Sequence, residues 1–445
     1  NIKSFQSNIP IRDYEGIRSY INKIFSGRQN ILWPGKPFYF AKSSGTTSGV
    51  KYIPITKDAI HQQIRAAREA LLNYIYHTTN VGIVNGKHIF IQGSPLLDDK
   101  NGFALGRLSG IVAHHVPSYL QKNRLPTWDT NCIEDWESKV NAIVNETYDK
   151  DMTIIGGIPS WVQMYFEKLV SKTSKNIGDL FPNFSLFVYG GVNFDPYKGL
   201  FRKLIGRELD SIEFYPASEG FFAYQDKQND NGLLLLLDHG IYYEFVVAST
   251  FFDQQPVVHS LNEVILGVNY VMIISTSAGL WRYNIGDTIK FINKYPFRLI
   301  VSGRLKHFIS AFGEHVIVSE VEQSIKEAIE KTEEIIRVKE FTVAPQITPK
   351  AGLPYHEWFI EFETSPRGKD IFAANIDYAM RNKNIYYNDL IEGKILRPLV
   401  ITEVQINGFQ KYMKSIGKLG GQNKVPRVSD DRLIADSLEK YIINL

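Results

Sequence analysis

Strand-like and helix-like segments alternate through the first 220 residues of this 445-residue chain, and that alternation narrows the fold more than any other feature. Ile17, Ile21 and Ile24 recur at helical spacing and predict a helix over residues 11–25. Trp33-Pro-Gly-Lys-Pro37 then breaks the chain, and Phe38-Tyr-Phe-Ala41 reads as a short strand. A strong helix is expected over 57–77, capped by Thr56. Strands at 88–92, 152–155, 186–189 and 211–215 then alternate with helices at 136–145, 159–170 and 196–205, the pattern of an α/β core.

From Leu233 the pattern turns to strands alone, at 233–237, 242–247, 271–275, 288–291 and 298–302. These suit an antiparallel sheet or small barrel completing the same domain. Beyond Gly303, helices at 319–331 and 369–383 mix with strands at 340–343, 358–363 and 399–404. The chain is too long for one hydrophobic core. The expected fold class is therefore α/β. A large N-terminal domain (1–302) has sheets flanked by helices plus a small barrel-like sheet, and a smaller α+β C-terminal domain (303–445) follows.

Composition excludes several functions. A formal net charge of +3 demands no nucleic-acid partner. The ten histidines are scattered without metal-ligand spacing, and the single cysteine, Cys132, suits a reducing compartment. The longest apolar run, 233–237, is far short of a membrane span, and the first ten residues lack a signal-peptide core. A cytoplasmic protein without a membrane partner is expected.

Five short motifs are candidates for chemistry. In Ser43-Ser-Gly-Thr-Thr-Ser-Gly-Val-Lys51, the hydroxyls of Ser43, Ser44, Thr46, Thr47 and Ser48 crowd around Gly45 and Gly49, with Lys51 just beyond. Hydroxyls and backbone N–H groups packed this densely are what phosphate oxygens need, although the spacing is not that of a Walker loop. Phe214-Tyr-Pro-Ala-Ser-Glu219 offers Tyr215 to stack on a planar base and Glu219 as a ligand for a hard cation; the plain alternative is a capped helix start. Arg282-Tyr-Asn-Ile-Gly-Asp287 places a carboxylate suited to ribose hydroxyls at a strand entry, or is an ordinary turn. Arg304 and Lys306 form a basic pair at the expected domain boundary. Gly417-Lys-Leu-Gly-Gly-Gln-Asn-Lys-Val-Pro-Arg427 is a glycine-loosened loop carrying Lys418, Lys424 and Arg427, followed by an expected helix at 430–438.

In this order the five resemble the motif series of the adenylate-forming superfamily, which holds acyl-CoA synthetases, peptide-synthetase adenylation domains and luciferases. Within it the chain resembles a bacterial-type member of the Gretchen-Hagen acyl-acid amido synthetases, known in plants as auxin-responsive proteins. The marks are Ser43-Ser-Gly-Thr-Thr-Ser-Gly with Lys51-Tyr-Ile-Pro54, Gly157-Ile-Pro-Ser-Trp161, Tyr189-Gly-Gly-Val-Asn193, Ser218-Glu-Gly220, Leu280-Trp-Arg-Tyr-Asn-Ile-Gly-Asp287 and the late lysine loop. Ser218 stands where the superfamily usually has Thr.

The resemblance implies two half-reactions. A carboxylate attacks the α-phosphorus of Mg·ATP to give acyl-AMP and pyrophosphate, and an amine, expected to be that of an amino acid, then takes the acyl group. Positioning and electrostatics carry such phosphorus chemistry. It implies that Ser43, Ser44, Gly45, Thr46, Thr47 and Ser48 hold the β- and γ-phosphates. Glu219 binds Mg²⁺ beside Ser218, and Tyr215 with Gly190 and Gly191 holds adenine. Asp287, helped by Arg304, binds ribose. Lys424, with Lys418 as fallback, reaches the α-phosphate from a mobile C-terminal domain that swivels near 303–306. No residue identifies itself as the base for the amine; His307 and His315 are the possibilities. The acyl pocket draws on 103–115, 157–161 and 188–193, with Arg107 as a cation for the carboxylate; the 13% aromatic content suits an apolar acid, and core packing explains it equally well. Two readings remain beside this one: an acyl-CoA ligase sharing the first step, and an inactive nucleotide-binding relative.

Overall fold

The computed structural model describes residues 2–43, 50–191, 194–228, 230, 232–305, 308–314, 316–332, 334–416 and 425–443. They fall into two compact units, one carried by residues up to Leu305 and the other by residues from Phe308 to Ile443.

Local chemistry sets the first unit's elements. Asp13 caps helix Tyr14–Phe25 through the Gly16 N–H, and Thr56 caps helix Lys57–Thr78 through the Ala59 N–H. Strands Asp210–Ala217, Leu186–Gly190, Met152–Gly157, Lys87–Ile91 and Arg124–Leu125 run parallel side by side. Residues 152–156 are all buried, as expected of a parallel strand covered on both faces. Alternate residues of Leu186–Gly190 serve the two faces. Leu186 and Val188 share a cluster with Tyr74 of helix Lys57–Thr78. Phe187 packs its ring on Phe201 and Tyr189 on Phe194, within a layer that includes helix Asp195–Ile205. This is a doubly wound arrangement.

The strands after residue 217 complete the same unit, as the strand-only pattern from Leu233 suggests. Gly220–Tyr224 and Leu233–Leu235 continue the same sheet to Phe297–Arg304, Tyr283–Lys294, Asn269–Thr276, Ile241–Val247 and Val258–His259, giving, among the described residues, twelve strands in one hydrogen-bonded order. The antiparallel half encloses its own core, in which Phe245, Tyr270, Met272, Ile274, Tyr283 and Phe291 are buried. A second sheet of four strands includes Tyr39–Ser43 and Lys51–Ile55.

In the other unit, Arg337–Gln346 and Tyr355–Thr364 pair antiparallel, and Val400–Val404 joins in parallel. Helices Val318–Lys331 and Lys369–Lys383 pack on each other. The buried His356 contacts Glu314 Oε1 at 2.7 Å through Nε2, and Glu320 has its carboxyl pushed up to about 7 by burial. Among the described residues no helix is long and apolar enough to cross a membrane.

Candidate active site

Strands Tyr39–Ser43 and Lys51–Ile55 form an antiparallel hairpin whose last pair sets Ser43 directly opposite Lys51. Lys51 therefore stands at the base of the hydroxyl-rich loop rather than on the way into the following helix. Ser44, Gly45, Thr46, Thr47, Ser48 and Gly49 lie outside the described residues.

Glu219 also sits on a tight turn. Asp210–Ala217 and Gly220–Tyr224 pair with Ala217 opposite Gly220, so Ser218 and Glu219 are the two turn residues between them. No helix starts here, which removes the capped-helix alternative. Gln63 of helix Lys57–Thr78 is buried and donates from Nε2 to the Ala217 carbonyl at 3.1 Å, fixing the turn's first strand to the helix that follows the Lys51–Ile55 strand. A small hollow beside Glu219 is lined by Gln62, His239 and Thr276. His239 lies between two carboxylates, 2.8 Å from Asp238 Oδ1 and 3.2 Å from Glu69 Oε2. Gln63 carries no mark in the sequence beyond its place on a helix face.

The structure brings Tyr215 and Asp287 together from two motifs. The buried Tyr215 hydroxyl donates to Asp287 Oδ2 at 2.7 Å, across 72 residues of sequence. The Tyr215 ring meets Phe222 edge-on with centroids 5.1 Å apart. Asp287 is itself buried, and on the neighbouring strand its register partner is Arg304. Ribose-type and base-type candidates thus meet through their side chains, although three strands separate theirs in the sheet order.

Gly190 and Gly191 end the neighbouring parallel strand. Gly190 pairs with Phe214, and a Cβ on Gly190 would fall 2.5 Å from the Phe214 carbonyl oxygen. Gly191 has φ +77°, in the region that favours glycine. Gly190→Ala is expected to cost about 1–3 kcal/mol through backbone displacement. Urea unfolding checks this, and an unchanged midpoint would show that the two strands part freely.

Arg282, the arginine of the third motif, faces inward. Its Nε donates to Glu244 Oε2 at 2.9 Å, and its NH1 donates to the carbonyls of Gln6 at 2.9 Å and Ile9 at 2.7 Å. It is a clamp on the first helix of the chain, not a group presented to a ligand. Val192, Asn193, Lys306, His307, His315, Lys418 and Lys424 lie outside the described residues.

Among the described residues no three His, Cys, Asp or Glu side chains gather as a metal site. Mg²⁺ in nucleotide sites needs only one or two carboxylates alongside phosphate oxygens, and Glu219 on its turn would supply one carboxylate to such a donor set.

Comparison with known proteins fits this geometry. Three models of one family match in chain order: the GH3 family N-terminal domain over residues 1–122, the central domain over 234–304 and the C-terminal domain over 319–433. Jasmonoyl–L-amino acid synthetase JAR4 of Nicotiana attenuata is 23% identical over 358 residues, covering 64% of this chain and 60% of that protein. Indole-3-acetic acid-amido synthetase GH3.15 of Arabidopsis thaliana is 22% identical over 386 residues, covering 69% and 64%. The chain thus spans less than two thirds of the length of these curated relatives. In three dimensions the chain matches the AtGH3.15 acyl acid amido synthetase complex with 2,4-DB at a TM-score of 0.60 and 18% identity, over 100% of this chain and 89% of the other. A 2-hydroxyisobutyryl-CoA ligase in complex with 2-HIB-AMP and CoA matches at 0.61 and 13% identity, over 99% and 83%. With all three domain models of one family falling in sequence along it, and the fold of a GH3 enzyme running its full length, the chain belongs to the GH3 family.

Proposed function

We propose that this protein is an ATP-dependent acyl-acid amido synthetase, which adenylates a carboxylic acid and passes the acyl group to the amine of an amino acid. The observation that carries the reading is the contact between Tyr215 and Asp287. It joins the base-side and ribose-side motifs at one place, and Asp287 is in register with Arg304. The relatives support it, being named amido synthetases of indole-3-acetic acid and jasmonoyl–amino acid synthetases.

Asp287 takes the ribose hydroxyls with Arg304, and Gly190, Gly191 and Tyr215 hold the adenine. Glu219, beside Ser218, binds Mg²⁺, and the loop from Ser43 to Ser48 holds the terminal phosphates. Lys424 neutralises the α-phosphate and the attacking carboxylate. Residues 1–302 bind ATP and acid, and residues 303–445 act as the lid. The reaction belongs to the cytoplasm.

A broad panel of carboxylic acids is expected to include at least one that drives pyrophosphate–ATP exchange with no amine present. An acid-by-amine screen read by mass spectrometry then yields amides. Absence of exchange across the panel would reject the adenylation step. Thioesters formed with CoA in place of amides would support the second reading, an acyl-CoA ligase, which the fold shared with a CoA ligase keeps in view.

A further inference from the structure

Helix Lys57–Thr78 buries Ile60, Gln63, Ala66, Ala70 and Tyr74 along one face, and Gln63 interrupts what is otherwise an apolar and aromatic stripe. Burying an amide costs free energy unless its hydrogen bonds are made, and a leucine would fill the same place without that cost. The bond that Gln63 makes runs from Nε2 to the Ala217 carbonyl at 3.1 Å, across 154 residues of sequence.

That carbonyl is the last before the turn that carries Ser218 and Glu219. The far end of the turn is pinned by packing: a Cβ on Gly220 would fall 2.6 Å from Ile241 Cδ1. Between these two points the turn borders a hollow, and Gln63, Glu219 and Gly220 all line it. Close packing is what ordinarily fixes a side chain in place, and it is missing on this side. The near end of the turn therefore leans on the hydrogen bond from Gln63.

The same helix reaches the first motif. It starts at its cap, Thr56, directly after strand Lys51–Ile55, and the Thr56 hydroxyl donates to the Ser277 carbonyl at 3.0 Å. Gln63 lies about 10 Å further along the helix axis. The helix is thus a stiff spacer between the base of the hydroxyl-rich loop and the Glu219 turn. Mg²⁺ takes its oxygens at about 2.0–2.1 Å in near-octahedral geometry and tolerates little error. A carboxylate and phosphate oxygens sharing one such ion must be held at a fixed separation.

We propose that Gln63 is a positioning residue for the metal: its hydrogen bond to Ala217 sets where the Glu219 carboxylate stands relative to the phosphates, and so sets how much Mg²⁺ adds to ATP affinity. The proposal rests on the assignment of Glu219 to Mg²⁺ made above. Gln63 touches neither metal nor nucleotide and acts only through the turn.

ATP binding to the full chain is measured by calorimetry in EDTA and in saturating Mg²⁺, and the ratio of the two affinities is the first readout. The Mg²⁺ concentration for half-maximal pyrophosphate–ATP exchange is the second. Gln63→Leu is expected to lower the ratio about 10-fold and to raise the half-maximal Mg²⁺ by a similar factor. ATP affinity in EDTA and the KM for the acid should stay within twofold of wild type. Gln63→Met is unbranched like glutamine and also lacks the donor; it is expected to give the same shift, and it serves if leucine disturbs the helix. Glu219→Gln runs in parallel. If it shifts Mg²⁺ dependence and the Gln63 variants do not, the proposal is overturned and the assignment of Glu219 stands. If none of the variants shifts it, both fall. An equal loss of ATP affinity with and without Mg²⁺ would also overturn the proposal, because Gln63 would then support the fold and not the metal.

Discussion

Asp287→Ala is expected to lower acid-dependent pyrophosphate–ATP exchange about 100-fold in kcat/KM, or about 2.7 kcal/mol of transition-state binding. The carboxylate is buried, so the hydrogen bonds proposed to reach it from ribose hydroxyls would form away from bulk water and gain strength. Tyr215→Phe removes one hydrogen bond to that carboxylate and keeps the ring, and a loss of about 10-fold is expected. Because Asp287→Ala also removes an acceptor of the Tyr215 hydroxyl, thermal unfolding should accompany the kinetics. Exchange within threefold of wild type, in a folded variant, would remove Asp287 from the nucleotide site.

The second large effect is on stability. Arg282→Met should destabilise the large unit by about 3–5 kcal/mol, because it leaves Glu244 buried without its cation. Glu244 would keep its hydrogen bond from Gln6 Nε2 at 2.8 Å, but the carbonyls of Gln6 and Ile9 would lose their donor. Substituting Glu244→Leu together with Arg282→Met removes both charges and should recover much of the loss. Urea unfolding of the two single variants and the double variant measures the coupling. Additive single effects would show that the pair is not coupled. Arg282 also holds a left-handed backbone at φ +48°, so the clamp works against a local conformational cost.

The elements that could be read from sequence are those whose local signals agree. Helix Lys369–Lys383 matches its expected bounds, and helix Lys57–Thr78 begins at its capping threonine. Hairpin strand Gly220–Tyr224 escaped notice because all five of its residues are buried, which erases the alternation that marks a half-exposed strand. Helix Ile2–Asn8 was silent for the opposite reason, having no buried residue and so no apolar stripe. The antiparallel strands read correctly as a sheet or small barrel completing the large domain, but their pairing order was hidden because it depends on pairs such as Leu233 with Leu299, far apart in sequence.

The site divides along the same line. Motif order brought out Tyr215, Glu219 and Asp287, but not that Tyr215 and Asp287 touch. Nor does a motif show which way a side chain turns: Arg282 reads as part of a nucleotide signature, yet Glu244, 38 residues earlier, holds it inside. Gln63 carried no signal at all, since a glutamine on an amphipathic helix is ordinarily solvated.

The hairpin beneath the hydroxyl-rich loop bears on how this chemistry can diversify. Five cross-strand pairs, from Tyr39 with Ile55 to Ser43 with Lys51, lock the two strands in register. Slipping either strand by one residue would turn Phe40 and Ile53, both fully buried, to the opposite face of the sheet. Gain or loss of a residue is therefore absorbed above the last pair, where it changes the loop and leaves Lys51 and the helix behind it in place. Loop length becomes a variable that evolution or an engineer can alter without refolding the protein, so the phosphate handling proposed for the loop would be tuned separately from the scaffold.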